Sequence, residues 1–257
     1  MGDERTGSRM LLSLILFSSL ASLSFEIALM RVFSVSLWYH FAFMVISIAM
    51  LGIAGGGTAL SVFPGLKKAG NTPLYCLLLA AGIPASYLLA NAIPFDPSRL
   101  SWDRLQLLFV GLYYLVLCVP FFFFGLAVST AYATAASEAN AVYTADLTGA
   151  GLGALAMVWL LSLGGPEQGV FIISSLLATG ILSFAKRRLR IAALILLVLN
   201  LAVLAFLPGV IQPRISQYKP LELALRFPGS RHIGTAYSPS SRLDLFTGPA
   251  ARFAPGL

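Results

Sequence analysis

Residues 10–30 read MLLSLILFSSLASLSFEIALM, and this stretch decides the fold class. Glu26 is its only charged residue. An α-helix needs ~20 apolar residues to cross a bilayer, and this run has that length. It shows no strand-like alternation, and backbone polar groups in lipid must be satisfied within the spanning structure. The stretch therefore predicts a transmembrane helix.

Further apolar runs of similar character follow along the chain. They cover 41–63, 73–93, 107–132, 146–163, 169–184 and 191–207. Hydrophobic residues make up 58% of the 257 residues and charged residues only 11%, whereas a soluble domain carries roughly 25% charged residues. The sequence predicts an all-α membrane protein, a bundle of about seven transmembrane helices.

Two regions follow from this pattern, a transmembrane bundle at 1–209 and a polar tail at 210–257. Within the tail, Arg231–Tyr237 and Arg242–Thr247 have the composition of short strands, and the turn-forming SPSS separates them. This predicts a β-hairpin. A segment this short buries little core by itself, since chains below ~40 residues usually need outside support. We expect the tail to be the entry segment of a soluble domain that is missing or truncated in this chain.

The basic residues indicate the orientation. Among the short loops, Lys and Arg are most frequent near the N-terminus, at Lys67 and Lys68, and in the run KRRLR at 186–190, whereas the opposite loops carry Arg99 and Arg104, offset by Asp96 and Asp103. Cytoplasmic loops carry the excess of Lys and Arg, so the N-terminus is predicted to be cytoplasmic. The expected location is the bacterial inner membrane. Seven spans would place the tail outside, and one span more or fewer would reverse its side.

Glu26 is the first candidate polar residue inside the spans. A carboxylate there costs ~2.5–3.5 kcal/mol on insertion scales, so it should be paired, neutral or facing a polar cavity. Arg31 lies five residues later, which puts it ~140° around the helix from Glu26. We therefore expect the partner of Glu26 to lie on another helix. His40 and Asp146 are the other ionisable candidates within or at the ends of the spans. Two interpretations of Glu26 remain open: it belongs to a polar site or proton path between helices, or it forms a structural bridge that fixes helix packing.

Three other polar residues complete this set of intramembrane candidates. Asp146 begins the predicted fifth span just after Tyr143, where it would act as a helix cap or first-turn acid, or as a ligand. His40 lies at the mouth of the second span, where an interfacial aromatic belt or a proton relay would explain it. The sequence does not decide between these structural and functional roles.

Glycines recur within two of the spans. Gly149, Gly151 and Gly153 form a GxGxG pattern, but no strand precedes them, so the context of a nucleotide-binding loop is missing. Small residues four apart on one helix face allow two backbones to approach closely. Gly149 with Gly153, and Gly52 with Gly56, are therefore predicted to be helix-packing residues.

Several function classes find no support in the residues. The chain has no credible Ser/His/Asp arrangement or phosphate loop, and Cys76 and Cys118 do not have metal-site spacing. No catalytic residue and no metal ligand are predicted. The net charge of +7 follows membrane topology and does not indicate nucleic-acid binding. The expected partners are the lipid bilayer and other membrane subunits.

Three motifs together resemble the membrane region of bacterial spermidine synthase-like proteins. They are FSSLASLSFEIALMRVFS at 17–34, SIAMLGIAGGG at 47–57 and YTADLTGAGLGALA at 143–156. In that family several transmembrane helices precede a soluble aminopropyltransferase-like domain. The tail segments SPSSRLDLF at 238–246 and FAPGL at 253–257 are similar to the entry hairpin of that domain. Glu26, Arg31, Tyr143 and Asp146 fall at the family's recurrent polar positions.

The resemblance also implies what the chain lacks. Aminopropyltransferases use a Rossmann-like sheet, a Gly-rich nucleoside loop and acidic residues that bind the amine. Glu222 and Asp244 are the acids in the tail, and neither lies in such a motif. The chain alone is therefore expected to be inactive and without a cofactor, and an S-adenosylmethionine-type nucleoside is expected only with a C-terminal domain. A full-length form would be aminopropyltransferase-like or methyltransferase-like.

Three functions remain as expectations. The first is a membrane anchor or scaffold of a spermidine synthase-like protein, which carries a soluble domain or docks in a larger membrane assembly. The second is a small transporter or channel that uses Glu26, Arg31 and Asp146. The third is an accessory subunit of an energy-transducing complex, with lipid- or pigment-facing aromatics such as those at 121–124.

Overall fold

A computed structural model describes residues 2–37, 40–215 and 219–248. Seven α-helices, four short 3-10 turns and one two-stranded sheet make up the described part of the chain. The helices are α1 Gly2–Ser36, α2 His40–Val62, α3 Thr72–Ala92, α4 Leu105–Thr134, α5 Ala139–Phe184, α6 Arg187–Phe206 and α7 Pro220–Leu225. The strands are β1 Arg231–Tyr237 and β2 Arg242–Thr247, paired antiparallel.

Within the described residues, six helices are long and apolar enough to cross a membrane. They are α1 to α6, so the predicted helical membrane bundle is confirmed. The predicted β-hairpin is also confirmed, with both strands at their predicted bounds. Most charged residues lie at the helix ends, in the connections and in the tail, as the solvation of a multi-pass membrane protein requires, and Glu26 and Asp146 lie within helices.

Helix α5 crosses the bundle twice. Its 46 residues would extend ~69 Å if straight, about twice the ~30 Å hydrocarbon core. However, Gly149 packs against Leu16 while Gly180 packs against the adjacent Phe17. A straight helix would separate these two glycines by ~46 Å. The chain therefore folds back at Gly165, whose φ of 81° and ψ of 173° interrupt the helix. The first leg (139–164) and the second leg (166–184) account for two of the seven predicted crossings.

The seven crossings define two ends of the bundle. The N-terminal face carries the start of α1, residues 63–71, residues 135–138 and the connection from α5 to the start of α6 at 185–190. The tail face carries residues 93–104, the turn at Gly165 and residues 207–248. Contacts agree with this division, because Ser8 donates to Glu138 on the N-terminal face and Arg31 donates to the Pro239 carbonyl on the tail face.

The outward surface of the bundle is apolar. Large side chains such as Phe43, Leu155 and Trp159 are mostly exposed. Soluble monomers rarely expose contiguous apolar patches larger than a few hundred Å². A lipid environment explains this surface, since hydrocarbon tails solvate these side chains as well as a protein core would.

Helix α1 lies against the first leg of α5 with the two backbones in contact. A Cβ atom added at Gly149 would overlap the Leu16 carbonyl oxygen, and one added at Gly153 would overlap the Leu20 carbonyl oxygen. Ser24 donates to the Gly153 carbonyl at 2.8 Å. The glycine pair thus lies at the closest part of the interface, where only a hydrogen atom fits.

Helices α2 and α4 meet in the same way. A Cβ atom at Gly52 would lie 2.6 Å from Cβ of Phe121, and one at Gly56 would overlap the Phe122 carbonyl oxygen. Gly125 on α4 packs in the same way on the Ile53 backbone of α2. The two glycine pairs therefore serve different interfaces, one between α2 and α4 and one between α1 and α5.

Buried polar side chains link the second leg of α5 to its neighbours. Ser174 donates to the Ala80 carbonyl on α3 at 2.6 Å, and the Asn200 amide on α6 donates to Ser174 Oγ at 2.8 Å. In lipid, an unsatisfied polar group costs several kcal/mol, so such bonds hold helices in register.

Some helix ends lie outside the predicted spans. Helix α1 begins at Gly2, and α5 begins at Ala139 rather than at Asp146. The stretch ANAVYTA at 139–145 extends α5 because alanine has the highest helix propensity, and its polar side chains lie largely at exposed positions. Asp146 consequently lies about two turns inside the helix and does not cap its start.

Candidate functional site

The polar site lies on the tail face, where the β-hairpin sits over the turn in α5. Pro166 follows Gly165 and begins the second leg, since proline suits the first turn of a helix. Glu167 comes next, where an acid is favoured by the positive end of the helix dipole. The sequence GGPEQG at 164–169 is thus a helix–turn–helix connection that places one carboxylate at the end of the bundle.

Glu167 is only 6% exposed. The Tyr237 hydroxyl, from the end of β1, donates to its Oε1 atom. Its Oε2 atom is buried and has no hydrogen-bond partner among the described residues. Burial, followed by the hydrogen bond to Glu167, raises the pKa of Tyr237 above its ordinary value. This contact joins the tail to the membrane bundle through the buried Glu167 and the half-buried Tyr237.

The hairpin carries its own polar network. The Thr235 hydroxyl donates to Asp244 Oδ1 at 2.6 Å, Arg242 forms an ion pair with Asp244 at 2.9 Å, and His232 Nε2 lies 3.2 Å from Asp244 Oδ1. Burial alone would raise the pKa of Asp244, but the hydrogen bonds from Thr235 and Arg242 and the charge of Arg242 outweigh it and hold that pKa below its usual value. Asp244 therefore stays ionised and orients the side chains around it.

Further contacts fix the tail upstream of the hairpin. The Tyr87 hydroxyl donates to the Ile211 carbonyl at 2.5 Å, and the Asn91 amide donates to the Gln212 carbonyl at 2.8 Å. The Arg214 backbone N–H donates to Asn91 Oδ1 at 2.9 Å. These bonds hold the segment after α6 against the end of α3.

Lys219 and Arg31 add contacts between the tail and α1. Lys219 Nζ donates to the Ser34 carbonyl at 3.0 Å, and burial lowers the pKa of Lys219. Arg31 reaches the Pro239 carbonyl in the hairpin turn. Helices α1, α3 and α5 therefore all contribute a side chain or carbonyl that holds the tail.

Two cavities open beside these contacts. The first, of about 570 Å³, lies between the hairpin and the turn in α5 and is lined mainly by polar residues, including Glu167, Arg214, His232 and Arg242. The second, of about 440 Å³, lies among the tail-face ends of α1, α3 and α4. Arg214 and Ile215 line both cavities and form the wall between them.

No protein-family model, curated protein or solved structure matches this chain. Among the described residues, no group of three or more His, Cys, Asp or Glu is placed to hold a metal ion.

The structure does not bring the predicted intramembrane residues together. Asp146 accepts a hydrogen bond from Ser19, on the N-terminal half of the bundle. Glu26 lies seven residues further along α1, about 10 Å away in rise, and is half-buried with no hydrogen bond or ion pair to any described residue. Arg31 lies at the tail face. Tyr143 is largely exposed, and His40 begins α2 but its side chain lies outside the described residues.

Sequence reasoning missed Glu167 and Tyr237, which are 70 positions apart. Glu167 fell between the predicted fifth and sixth spans and was therefore not counted as intramembrane. A proline followed by an acid is a helix-start signal, and two preceding glycines favour a tight turn. GGPEQG could therefore have identified a buried carboxylate between two spans, although not its partner.

Proposed function

We propose that this chain is an integral membrane anchor that presents its β-hairpin, at a fixed place, to a soluble module. The observation that carries this proposal is the orientation of the hairpin, which turns its polar face toward the bundle and leaves its apolar face exposed. Its polar side chains, including Thr235, Tyr237 and Arg242, face the bundle. Its other face exposes Ile233, Leu243 and Leu245 by 60%, 66% and 62%.

An isolated two-stranded hairpin is marginally stable in water, and its apolar face normally packs on a core. Here the bundle covers the polar face and leaves the apolar face for another layer. A sheet with one face held and the other face apolar is suited to extend or cover the core of a soluble domain. The many contacts between the tail and α1, α3 and α5 would fix the orientation of that domain relative to the membrane.

The resemblance to spermidine synthase-like proteins supports a transferase-like identity for this module. On this proposal, the catalytic acids belong to the module, and the chain described here is not catalytic by itself. A nucleoside cofactor made in the cytoplasm would reach the module only with a cytoplasmic tail face, so the labelling experiment below also tests the transferase-like identity. Docking within a larger membrane assembly would use the same anchored hairpin.

Hydrogen exchange of the hairpin tests the anchor function. In the isolated chain, the peptide that contains Leu243 and Leu245 should exchange at its unpaired edge amides. In the protein extracted from its native membrane, the module should protect the same amides by about tenfold or more. Intact mass of the native protein then shows whether the module belongs to the same polypeptide or to a partner.

Equal exchange in both preparations would contradict the proposal. The peptide around Ser174 is the internal control, because the second leg of α5 is buried in the bundle in both preparations. In parallel, the isolated chain is expected to give no turnover with decarboxylated S-adenosylmethionine and putrescine, and robust turnover would overturn its assignment as an anchor without catalytic activity.

We further propose that the N-terminal face is cytoplasmic and that the tail face lies outside the inner membrane. Among the short connections, the cations near the N-terminus, at Lys67 and Lys68 and in the 186–190 run belong to the N-terminal face, whereas the tail-face connection at 93–104 carries only Arg99 and Arg104. This bias in the short connections supports the orientation. Ser101→Cys and Ser240→Cys, both at exposed tail-face positions, should react with a membrane-impermeant maleimide on intact spheroplasts. Gly70→Cys, on the N-terminal face, should react only after lysis.

The wild-type chain is the control, since Cys76 is buried and Cys118 lies within α4. If Ser240→Cys and Gly70→Cys react from the same side, the count of seven crossings is wrong. If Gly70→Cys alone reacts in intact spheroplasts, the orientation is reversed.

A further inference from the structure

The 440 Å³ cavity enters the bundle from the tail face. Its inner wall is made of side chains that are almost fully buried, including Leu29, Val32, Phe33 and Tyr113. Protein interiors contain few voids larger than a water molecule, so a space of this size among packed helices is unusual. Its volume falls within the ~300–1,000 Å³ range of small-molecule pockets.

Most polar groups in the wall are already satisfied by the protein. Ser36 donates to the Val32 carbonyl at 2.7 Å, and the Tyr87 hydroxyl donates to the Ile211 carbonyl. The Asn91 amide is engaged at both of its polar atoms by the tail backbone. The deeper wall therefore presents mainly carbon to an occupant.

An aromatic cluster surrounds the inner end of the cavity. The Tyr113 ring lies 5.5 Å from the Phe33 ring and 5.6 Å from the Phe95 ring, centroid to centroid. Tyr113 is 8% exposed, and its hydroxyl makes no hydrogen bond to any residue that the structure describes. It lies eight residues into α4, about 12 Å along the helix. Because Tyr113 lines the cavity and its hydroxyl has no partner among the described residues, this donor is available to an occupant of the cavity.

The mouth of the cavity is cationic. Arg99 and Arg214 line it together with Asp96, which lies 3.8 Å from Arg99. The Arg214 side chain makes no hydrogen bond or ion pair with the described part of the chain. Among the described residues that line this opening, two guanidinium groups and one carboxylate carry a net charge of +1, and guanidinium groups recognise carboxylate and phosphate well.

We propose that this cavity binds an amphiphile with an acidic head, whose apolar part lies against the Phe33, Phe95 and Tyr113 rings. Arg214 and Arg99 hold the head, and the Tyr113 hydroxyl donates to an oxygen of the ligand further inside. The chemistry fits an anionic phospholipid of the bilayer or a free single-chain carboxylate. The position at the membrane end of the helices gives both of these direct access.

Native mass spectrometry of the purified chain in neutral detergent tests this site. Dodecanoate and phosphatidylglycerol are the two acidic probes, and dodecanol is the uncharged control probe. One dodecanoate or one phosphatidylglycerol per chain should bind saturably, and dodecanol should bind at least about tenfold more weakly. Preference for the first probe identifies a free carboxylate as the source, and preference for the second identifies a bilayer lipid.

Two variants and two matched controls locate the binding. Tyr113→Phe removes only the hydroxyl and should weaken binding about fivefold, while Arg214→Gln should weaken it about tenfold. Tyr114→Phe and Arg104→Gln alter neighbours that do not line the cavity and should bind as the wild type does. Because Tyr113→Phe keeps the ring packing, loss of binding in that variant cannot be assigned to misfolding.

The proposal is overturned if neither acidic probe binds saturably. It is also overturned if dodecanol binds as well as dodecanoate, or if Tyr113→Phe and Arg214→Gln bind no more weakly than their controls.

Discussion

Gly149→Ala is expected to lower the free energy of unfolding by about 3 kcal/mol, one of the largest effects of any single methyl group in this chain. The added Cβ would overlap the Leu16 carbonyl oxygen, which belongs to the α1 backbone and cannot rotate away. Helix α1 and the first leg of α5 would have to separate along their length. Reversible unfolding in mixed detergent, followed by circular dichroism, measures the change.

The matched control is Gly151→Ala, two residues away on the same helix. A Cβ atom there meets nothing within 4 Å, and alanine has the higher helix propensity, so this variant should be neutral or slightly more stable. Equal stabilities for the two variants would show that α1 and α5 are not in backbone contact. A combined Gly149→Ala and Gly153→Ala chain should fail to give a monodisperse protein.

Gly165→Ala is expected to release the tail from the bundle. The φ of 81° with ψ of 173° is a conformation that is essentially restricted to glycine and costs other residues about 1–3 kcal/mol. The new Cβ would also lie 2.7 Å from the Tyr237 ring and 2.9 Å from Glu167 Oε2. Both effects oppose the docked hairpin, so trypsin should cleave the tail at Arg226 and Arg231 at least about tenfold faster than in the wild type.

Two further variants separate the effect of Gly165→Ala from the loss of the Tyr237 hydrogen bond alone and from the addition of a methyl group elsewhere. Tyr237→Phe removes only the hydrogen bond to Glu167 and should increase tail cleavage less than Gly165→Ala does. Gly111→Ala adds a methyl group in open space on α4 and should leave cleavage unchanged. If Gly165→Ala cleaves at the wild-type rate, the hairpin does not rest on the turn in α5.

The elements were predictable from sequence because their signals are local. Each apolar run has the length of one bilayer crossing, and the second leg of α5 was recognisable as a separate span from 169 onward. The strands were predictable because SPSS is a turn signal between two short β-type segments. The start of α5 was not predicted, because the polar composition of residues 139–145 indicates a connection between spans. These residues form a helix because their polar side chains lie at exposed positions.

Which of these elements pack against each other was harder to predict from the sequence. Gly52 and Gly149 each indicate a close helix contact, but a glycine does not specify which backbone lies opposite. The contact of Tyr237 with Glu167 depends on the tail folding back over the turn, a long-range arrangement that no local pattern encodes. Glu26 was recognisable as a costly carboxylate, yet its surroundings follow from packing that the sequence does not state.

The backbone contact between α1 and α5 has a consequence for biosynthesis. Helix α1 leaves the ribosome first, but Gly149, Gly153 and Gly180, which pack against its residues 16–20, are made about 130 residues later or more. Until then Ser24 has no Gly153 carbonyl to bond, and the face of α1 that meets α5 has no partner helix. Assembly of the α1–α5 interface is therefore a late, post-insertion event, and a nascent chain stalled before the first leg of α5 would present this face of α1 to the quality-control machinery of the membrane.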